Sequence, residues 1–547
     1  MARSWPIVII SSRFLLNSII RAFSRFVVYH YMNLIKSFFS ISGFTFLSRI
    51  IGFLRDMVIT QYFGANKITD AFWVAFRIPN LLRRIFAEGA FSQAFIPILS
   101  DFKKNRSKEE TILFSREVAG LLSLALFVVT IIGILASRPI ILLIASGFAH
   151  DPQQFSQASN FLKITFPYIF FISLTSFFSA ILNTYQRFSV PAITPVFLNI
   201  TLIFFSIVVS PYFKQPVSAL AWGVFFAGLI QLLFQLPFVS QLGFLQVPKL
   251  NVRDSKIRKV VQAMALIIIG VSSGQISIIL NGIYASYLEK GSITWQYISD
   301  RIMELPSSLL GVALGTVLLP TLATYTSKQD EQAFSKLLDW GLRLAFTLAL
   351  PAAAGISVLA MPLITTLFQH GKFTLYDVNM TYPAVIAYSL AIPGFIFIKV
   401  LAPGFTSRQD YKTPVLVGFF TLLLTQFLNL WLVLYFQLGI VGINLSISIA
   451  ACANSLLLLY LLRRKGYYQP QPAWFSLVFK ITLATIIMTS TLYALLMQHI
   501  YPLYWQGSNI SRIIQLTGLM VIGVVEYAII LLLFGFRTSF LSIHYAR

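Results

Sequence analysis

The sequence predicts an all-α polytopic membrane protein of about fourteen transmembrane helices. Two six-helix lobes are expected, related by a pseudo-twofold axis along the membrane normal, with two further helices at the C-terminus. Three observations predict this. The first is composition. Of 547 residues, 57% are hydrophobic and 11% charged, and the mean hydropathy is +0.79. A soluble globular chain carries roughly 25% charged residues. Apolar runs of about 20 residues, long enough to cross a bilayer, recur to the end of the chain. They must be helical, because hydrocarbon cannot satisfy open backbone groups.

The second observation is how bases are distributed among the loops. One alternate set holds Lys103, Lys104, Arg106 and Lys108, then Arg187, then Lys249, Arg253, Lys256, Arg258 and Lys259. It continues with Lys328, with Arg408 and Lys412, and with Arg463, Arg464 and Lys465. The other set holds Lys67, Lys214, Lys290 and Lys372, at most one per loop. The positive-inside rule makes the first set cytoplasmic. Both termini then lie in the cytoplasm and the helix count is even. This pattern also accounts for the net charge of +23 without a nucleic-acid partner.

The third observation is a repeat. A shift of 223 residues puts Pro97 on Pro320, Gln186 on Gln409, Pro191 on Pro414 and Tyr212-Phe213 on Tyr435-Phe436. Six helices is an even number, so the two lobes share one orientation, as in transporters built from parallel repeats.

Taken in order, the predicted spans are 36–60, 69–100, 113–147, 155–186, 189–211 and 215–241, forming a first lobe of residues 32–245. Spans 256–288, 292–325, 331–369, 374–407, 412–436 and 438–466 form a second, residues 255–466. Spans 474–498 and 510–535 lie outside the repeat and precede a tail of residues 536–547, expected to be cytoplasmic. Several spans exceed the minimum, so tilt or protrusion into water is expected.

Residues 1–31 stand apart, with Arg3, Arg13, Arg21 and Arg25 among apolar neighbours. No small-residue cleavage site follows an uninterrupted apolar core, which argues against a cleaved signal peptide. The segment reads either as an amphipathic surface stretch or as sequence upstream of a true start at Met32. The single cysteine, Cys452, lies in an apolar run and is read as a packing residue.

The charges inside these spans carry the functional reading. The first span has Ser42, Thr45, Arg49, Gly52 and Asp56 at helical spacing, and the second has Asp70, Arg77, Asn80, Arg84 and Glu88. The eighth has Arg301, Glu304, Ser308, Gly311 and Gly315, and the seventh a milder stripe of Gly270, Ser273, Ser277 and Asn281. Lys399 lies nine residues from the end of the tenth, about 13 Å in at 1.5 Å per residue. A charge at the bilayer centre costs about 2.5–3.5 kcal/mol on insertion scales. These residues must therefore pair within the bundle or converge on a water-filled cavity between the lobes.

Local pairing explains part of the set. Arg84 and Glu88 are four apart and are expected to pair, and Asp300 with Glu304 is expected to hold Arg301. Arg55 and Asp70 lie near span ends and could instead reach water. Yet the first two spans hold Arg49, Arg55, Arg77, Arg83 and Arg84 against Asp56, Asp70 and Glu88, an excess of two bases. Surplus guanidinium in a cavity implies an anionic ligand, and the planar fork suits phosphate. Glu526, alone in the last span, has no evident partner in the sequence.

An enzyme acting on polyprenyl phosphates is the rival class, but it needs a nucleophile, a base or a metal cluster. The histidines, His30, His150, His370, His499 and His544, all fall in loops, tails or helix ends. No P-loop pattern is present. A channel is the weaker rival, suggested by Pro167, Pro306, Pro351, Pro393 and Pro403 as bending elements.

The stretch Arg77-Ile-Pro-Asn-Leu-Leu-Arg-Arg-Ile-Phe-Ala-Glu-Gly-Ala-Phe-Ser-Gln-Ala-Phe-Ile-Pro97 closely resembles the signature of the MurJ (MviN) family of lipid II flippases. So do Ser48-Arg49 with Gly52 and Arg55-Asp56, Asp300-Arg301 with Glu304 and Pro306, and Leu401-Ala-Pro-Gly-Phe-Thr-Ser-Arg-Gln-Asp410. The resemblance runs from Met32 to near the C-terminus. It implies the MATE-like fold of the multidrug/oligosaccharidyl-lipid/polysaccharide exporter superfamily, with the last two helices forming a groove for the polyprenyl tail.

The resemblance also implies that Arg49, Arg55, Asp70, Arg83, Arg84, Glu88 and Arg301 handle the substrate. To these the charge argument adds Lys399, with Asp56, Arg77, Asp300 and Glu304 in support. The expected activity is alternating-access transfer of the peptidoglycan precursor lipid II across the bacterial cytoplasmic membrane. Another polyprenyl-linked saccharide is the alternative substrate. Lipid II and membrane lipids are the expected partners of a monomer, with no cofactor and no metal. Some relatives bind sodium in the second lobe, but helices 7, 11 and 12 show no convincing acidic site for it.

Overall fold

The computed structural model describes residues 34–85, 91–251, 276–497 and 508–536. The regular structure of these residues is helical, without a strand among them. In chain order the helices are α1 (Leu34–Phe63), α2 (Lys67–Ile85), α3 (Phe91–Asn105), α4 (Lys108–Leu135), α5 (Ser137–Ile144) and α6 (Pro152–Thr165). Then come α7 (Tyr168–Thr184), α8 (Ser189–Phe204), α9 (Ser218–Gln241) and α10 (Ile276–Ser286), followed by α11 (Ser292–Ser327) and α12 (Glu331–Phe368). The last are α13 (Leu375–Ser389), α14 (Ala391–Thr406), α15 (Lys412–Asn429), α16 (Gly439–Arg464), α17 (Trp474–Leu495) and α18 (Asn509–Leu533).

Ten spans among the described residues are long and apolar enough to cross a membrane. Helices α1, α2 and α11 are not among those ten, and they carry the charged residues that the sequence places inside spans. The expected count of fourteen also requires residues 86–90 and 252–275, which lie outside the described residues, as do residues 1–31, Gly270 and Ser273.

Helix starts follow local chemistry. Ser107 caps α4 by accepting from Glu110 N at 3.1 Å, with Glu109 and Glu110 in the first turn. Asp151 accepts from Gln154 N at 3.1 Å and is followed by Pro152 at the first helical position of α6. Thr374 and Asp377 form a capping box at α13.

The outer surface, not the core, differs from that of a soluble protein. Phe127, Ile132, Leu135, Leu416 and Leu533 are exposed large apolar side chains on the outside, a surface only a lipid environment accommodates. Two principal apolar cores lie inside. One gathers side chains mainly from α1, α2 and α4 to α9, including Phe72, Phe161 and Tyr168, and the other mainly from α11 to α16, including Trp295, Phe334 and Phe405. A separate cluster joins α17 and α18 to α12 through Leu359, Ile481, Met488 and Leu519.

The internal repeat is visible in backbone detail. Gln186 and Gln409 both take φ of 61°. Each sits in the same left-handed turn, closed by Arg187 N to Leu182 O at 2.8 Å in one half and Asp410 N to Phe405 O at 3.1 Å in the other. The α6–α7 break falls at Pro167 and the α13–α14 break at Leu390, one repeat length apart. α8 continues into a π-helical turn at Phe205–Val209, and α15 into one at Leu430–Tyr435. α7 packs on α9, as α14 packs on α16.

Contacts between loops sort them into two ends. At the base-rich end, Lys103 Nζ donates to Thr184 O at 2.9 Å, Arg187 to Gln241 at 2.7 Å, and Lys465 to Asp410 at 2.6 Å. At the opposite end, Asp151 meets Lys67 at 3.7 Å and Lys290 at 3.3 Å, and Lys372 N donates to Gln61 O at 2.9 Å. Segments of the base-rich set thus contact one another, as do segments of the base-poor set.

Candidate functional site

A cavity of about 830 Å³ lies between the two halves of the chain. Arg49 and Arg55 from α1, Arg77 and Arg83 from α2, and Arg301 from α11 all line it. Asp300 and Glu304 are the acidic residues on the same surface. Cation therefore exceeds anion on the wall itself. A guanidinium cluster of this kind suits a phosphate-like anion.

Arg55 and Arg301 of this wall join an ion-pair network built on Asp56, which is 1% exposed. Arg55 Nε donates to Asp56 Oδ1 at 2.8 Å and its Nη2 lies 2.5 Å from the same oxygen. Tyr297 Oη donates to Asp56 Oδ1 at 2.9 Å and accepts from Arg55 Nη2 at 2.8 Å. Arg301 Nε stands 2.7 Å from Asp56 Oδ2, a charge contact not aligned as a hydrogen bond. Arg55 Nη1 also donates to Asn199 Oδ1 at 3.0 Å, and Asn199 Nδ2 donates to Ser48 O at 3.1 Å. This clamps α8 to α1.

Glycine creates the space these side chains occupy. A Cβ on Gly52 would lie 2.7 Å from Arg301 Nη2, and one on Gly282 would lie 1.5 Å from Arg77 Nη1. Gly52 belongs to the polar stripe of the first span. That stripe marks the α1 face that receives Arg301 from the other half of the chain.

The remaining candidates are distributed differently from expectation. Arg49 is exposed and Arg83 half-buried on the cavity wall, with Arg83 Nε donating to Asn80 Oδ1 at 3.1 Å. Arg301 is held by Asp56 and by Glu304, whose Oε2 is 2.9 Å from Nη1. Asp300 instead accepts from Gln296 at 3.2 Å and lies within Coulombic reach of Arg77. A helical step of one residue turns Asp300 away from Arg301's side of α11.

Asp70 does not line the cavity. It is 2% exposed and accepts from Gly291 N at 2.6 Å, Thr294 N at 2.9 Å and Thr294 Oγ1 at 2.7 Å. It caps α11 from the other half of the chain, which satisfies orphan amides as a helix start requires. Lys399 also stands off the cavity, its stem against Gly311, where an added Cβ would lie 2.9 Å from Lys399 Cγ. Arg84 lies on α2 with its side chain undescribed, and Glu88 falls outside the described residues.

Sequence reading missed Tyr297, Asn199 and Trp73. Trp73 and Tyr297 stack with ring centroids 3.7 Å apart and both line the cavity. Asn199 was detectable as a lone carboxamide in the apolar α8. The aromatic residues carried no signal, since Trp and Tyr in an apolar helix read equally well as core. Two other anomalies resolve as structural. Asn281 accepts from Asn429 at 2.9 Å, and Glu526 accepts from Thr491 at 2.7 Å, tying α18 to α17.

With this geometry in hand, comparison with known proteins is informative. The family model described as lipid II flippase MurJ matches residues 59–517. The chain is 41% identical over 506 residues to the probable lipid II flippase MurJ of Buchnera aphidicola subsp. Acyrthosiphon pisum, covering 92% of this chain and 98% of that protein. It is 43% identical over 466 residues to the lipid II flippase MurJ of Burkholderia cenocepacia, covering 84% and 90%. A solved structure titled lipid II flippase MurJ, inward closed conformation, superposes with a TM-score of 0.76 at 26% identity, covering 90% of this chain and 98% of that one. A transporter of the multidrug MATE family shares the fold at a TM-score of 0.61 and 12% identity.

Proposed function

The chain belongs to the MurJ family of lipid II flippases, and on that premise we propose how its cavity handles the substrate. It is a flippase, not an enzyme, and no bond in the substrate need be made or broken. The task is to carry a charged head group past hydrocarbon. Arg49, Arg83 and Arg301 receive the pyrophosphate and replace its hydration, with Arg84 and Glu88 acting beside them. Arg55 and Asp56 form the base on which Arg301 is held. Asp70 serves by capping α11 rather than by touching substrate, and Lys399 contributes from outside the cavity.

The cycle is alternating access between two lobes, residues 32–245 and 255–466. The base-rich end faces the cytoplasm by the positive-inside rule, and both termini lie there. The lining runs from the Trp73–Tyr297 stack toward Arg83 and Asn183 at that end, which supports entry from the cytoplasmic leaflet. Release on the other side requires parting the contacts of Asp151 with Lys290 and of Gln61 with Lys372. The polyprenyl tail stays in the bilayer along residues 474–535. Moving net charge across the membrane couples the step to potential, at about 2.3 kcal/mol per charge per 100 mV. A single chain of the cytoplasmic membrane suffices for this cycle.

The observation that carries the reading is the convergence of five arginines, from both halves of the chain, on one cavity. The test is depletion of a bacterial host's own lipid II flippase. The wild-type chain is expected to sustain growth, and Arg83→Ala and Arg301→Ala are expected not to, although made at normal levels. Growth with both variants would remove the arginine wall from the mechanism.

A further inference from the structure

The cavity has a second wall of different chemistry. The lining residues contributed by α7, α8 and α9 include none that is ionisable. Thr175, Ser176, Ser179 and Asn183 follow one another on a single face of α7, with Thr194 from α8 and Gln231 from α9. Their hydrogen bonding is directional. Thr175 Oγ1 donates to Phe171 O at 2.8 Å, Ser176 Oγ to Ile172 O at 2.7 Å and Thr194 Oγ1 to Val190 O at 2.7 Å. Gln235 Nε2 donates to Ser179 Oγ at 2.8 Å and to Thr194 Oγ1 at 2.9 Å.

A hydroxyl has one proton and two lone pairs. Once its proton is given to the helix backbone, only acceptor capacity remains for a ligand. Phosphate and carboxylate oxygens are acceptors too, so Thr175, Ser176 and Thr194 cannot replace an anion's water. They can receive a neutral group rich in O–H donors. The Asn183 carboxamide, half-buried and without a protein partner among the described residues, supplies one acceptor and two donors at the open side.

We propose that this wall is a glycan subsite, in which Thr175 and Ser176 accept from, and Ser179 and Asn183 hydrogen-bond with, hydroxyls of the sugar next to the pyrophosphate and so set the orientation of the head group. The subsite rests on the flippase reading above. It makes the cavity bipartite, with the anion on the α1, α2 and α11 side and the neutral sugar on the α7 to α9 side.

The test uses the full-length protein in lipid nanodiscs and three ligands: lipid II, lipid II with its peptide removed, and undecaprenyl pyrophosphate without sugar. The double variant Ser179→Ala/Asn183→Ala is expected to weaken the two sugar-bearing ligands by roughly tenfold, the scale of one or two lost hydrogen bonds. Undecaprenyl pyrophosphate should bind as to wild type, while Arg83→Ala weakens all three. Asn183→Gln, which keeps the carboxamide, should recover part of the loss and serves if the double variant folds poorly. Equal weakening of all three ligands by the double variant, or of none, overturns the subsite. Weakening confined to the peptide-bearing ligand moves the wall to the peptide and overturns the glycan assignment. Wild-type protein binding neither lipid II nor undecaprenyl pyrophosphate would instead contradict the flippase reading itself.

Discussion

Asp56 of α1 and Arg301 of α11 meet at 2.7 Å across the two halves of the chain, and the same carboxylate also holds Arg55 at 2.5 Å. One buried acid thus serves two bases. The two partners are therefore unequal to mutation. Asp56→Ala leaves the buried Arg55 without its counter-ion and Arg301 with Glu304 alone, and should destabilise the protein by about 3–5 kcal/mol. Arg301→Ala leaves Asp56 with Arg55 and Tyr297 and should cost clearly less, while abolishing transport. Thermal unfolding in detergent beside a complementation assay checks this; equal destabilisation by both would show that Arg301 is chiefly a structural brace.

Gly52 and Gly282 are expected to differ in severity. At Gly52 the added methyl would meet Arg301 Nη2 at 2.7 Å, the far end of a long side chain. Gly52→Ala should therefore shift Arg301, lower transport and leave stability within about 1 kcal/mol, since Ala also favours helix by up to that amount. Gly282→Ala puts a methyl 1.5 Å from Arg77 Nη1 and 2.8 Å from its Cζ, so the whole guanidinium must leave its seat. Its loss should exceed that of Gly52→Ala in both assays. Restoration of Gly282→Ala by a second substitution, Arg77→Ala, would identify the clash as the cause.

Asp70→Ala removes three hydrogen bonds from the start of α11. A lost helix cap costs about 0.5–2 kcal/mol, and buried amides left unpaired add to it. Asp70→Asn, which keeps one acceptor oxygen, should fall between wild type and Ala. Unfolding temperatures for the three proteins provide the check, and an Asn variant no better than Ala would argue for a role of the charge itself.

At the base-rich end, the Asp410 carboxyl is pushed up by partial burial, but Lys465 and two hydrogen bonds from Thr413 outweigh this and hold it at about 2. A carboxyl whose folded value is depressed stabilises the fold above its ordinary value of 3.8 and loses that contribution as pH falls toward about 2. Asp410→Asn should therefore be less stable than wild type at pH 7, by no more than about 1 kcal/mol for so exposed a pair. The two should converge only as pH falls below about 2. A difference that persists unchanged at that pH would attribute it to packing, not charge.

The sequence by itself determined the all-helical membrane class, the matching turns of a repeat and the surplus of arginine. Hydrophobic length, charge alternation and spacing are properties of a line, and they survive folding unchanged. The left-handed turns at Gln186 and Gln409 appear where the repeat put them, because equal local sequence meets equal local packing. Tertiary structure alone decided what each intramembrane charge does. Asp70, Asp56 and Arg301 carry the same penalty in lipid, and that penalty is relieved equally by a helix start, an ion pair or a wet cavity. Only the approach of α11 to α1 and α2 selects among the three. It makes Asp70 a cap, Asp56 a shared counter-ion and Arg301 a cavity base. The same approach brings Trp73 and Tyr297 together on the cavity wall, aromatics that along the chain were indistinguishable from core.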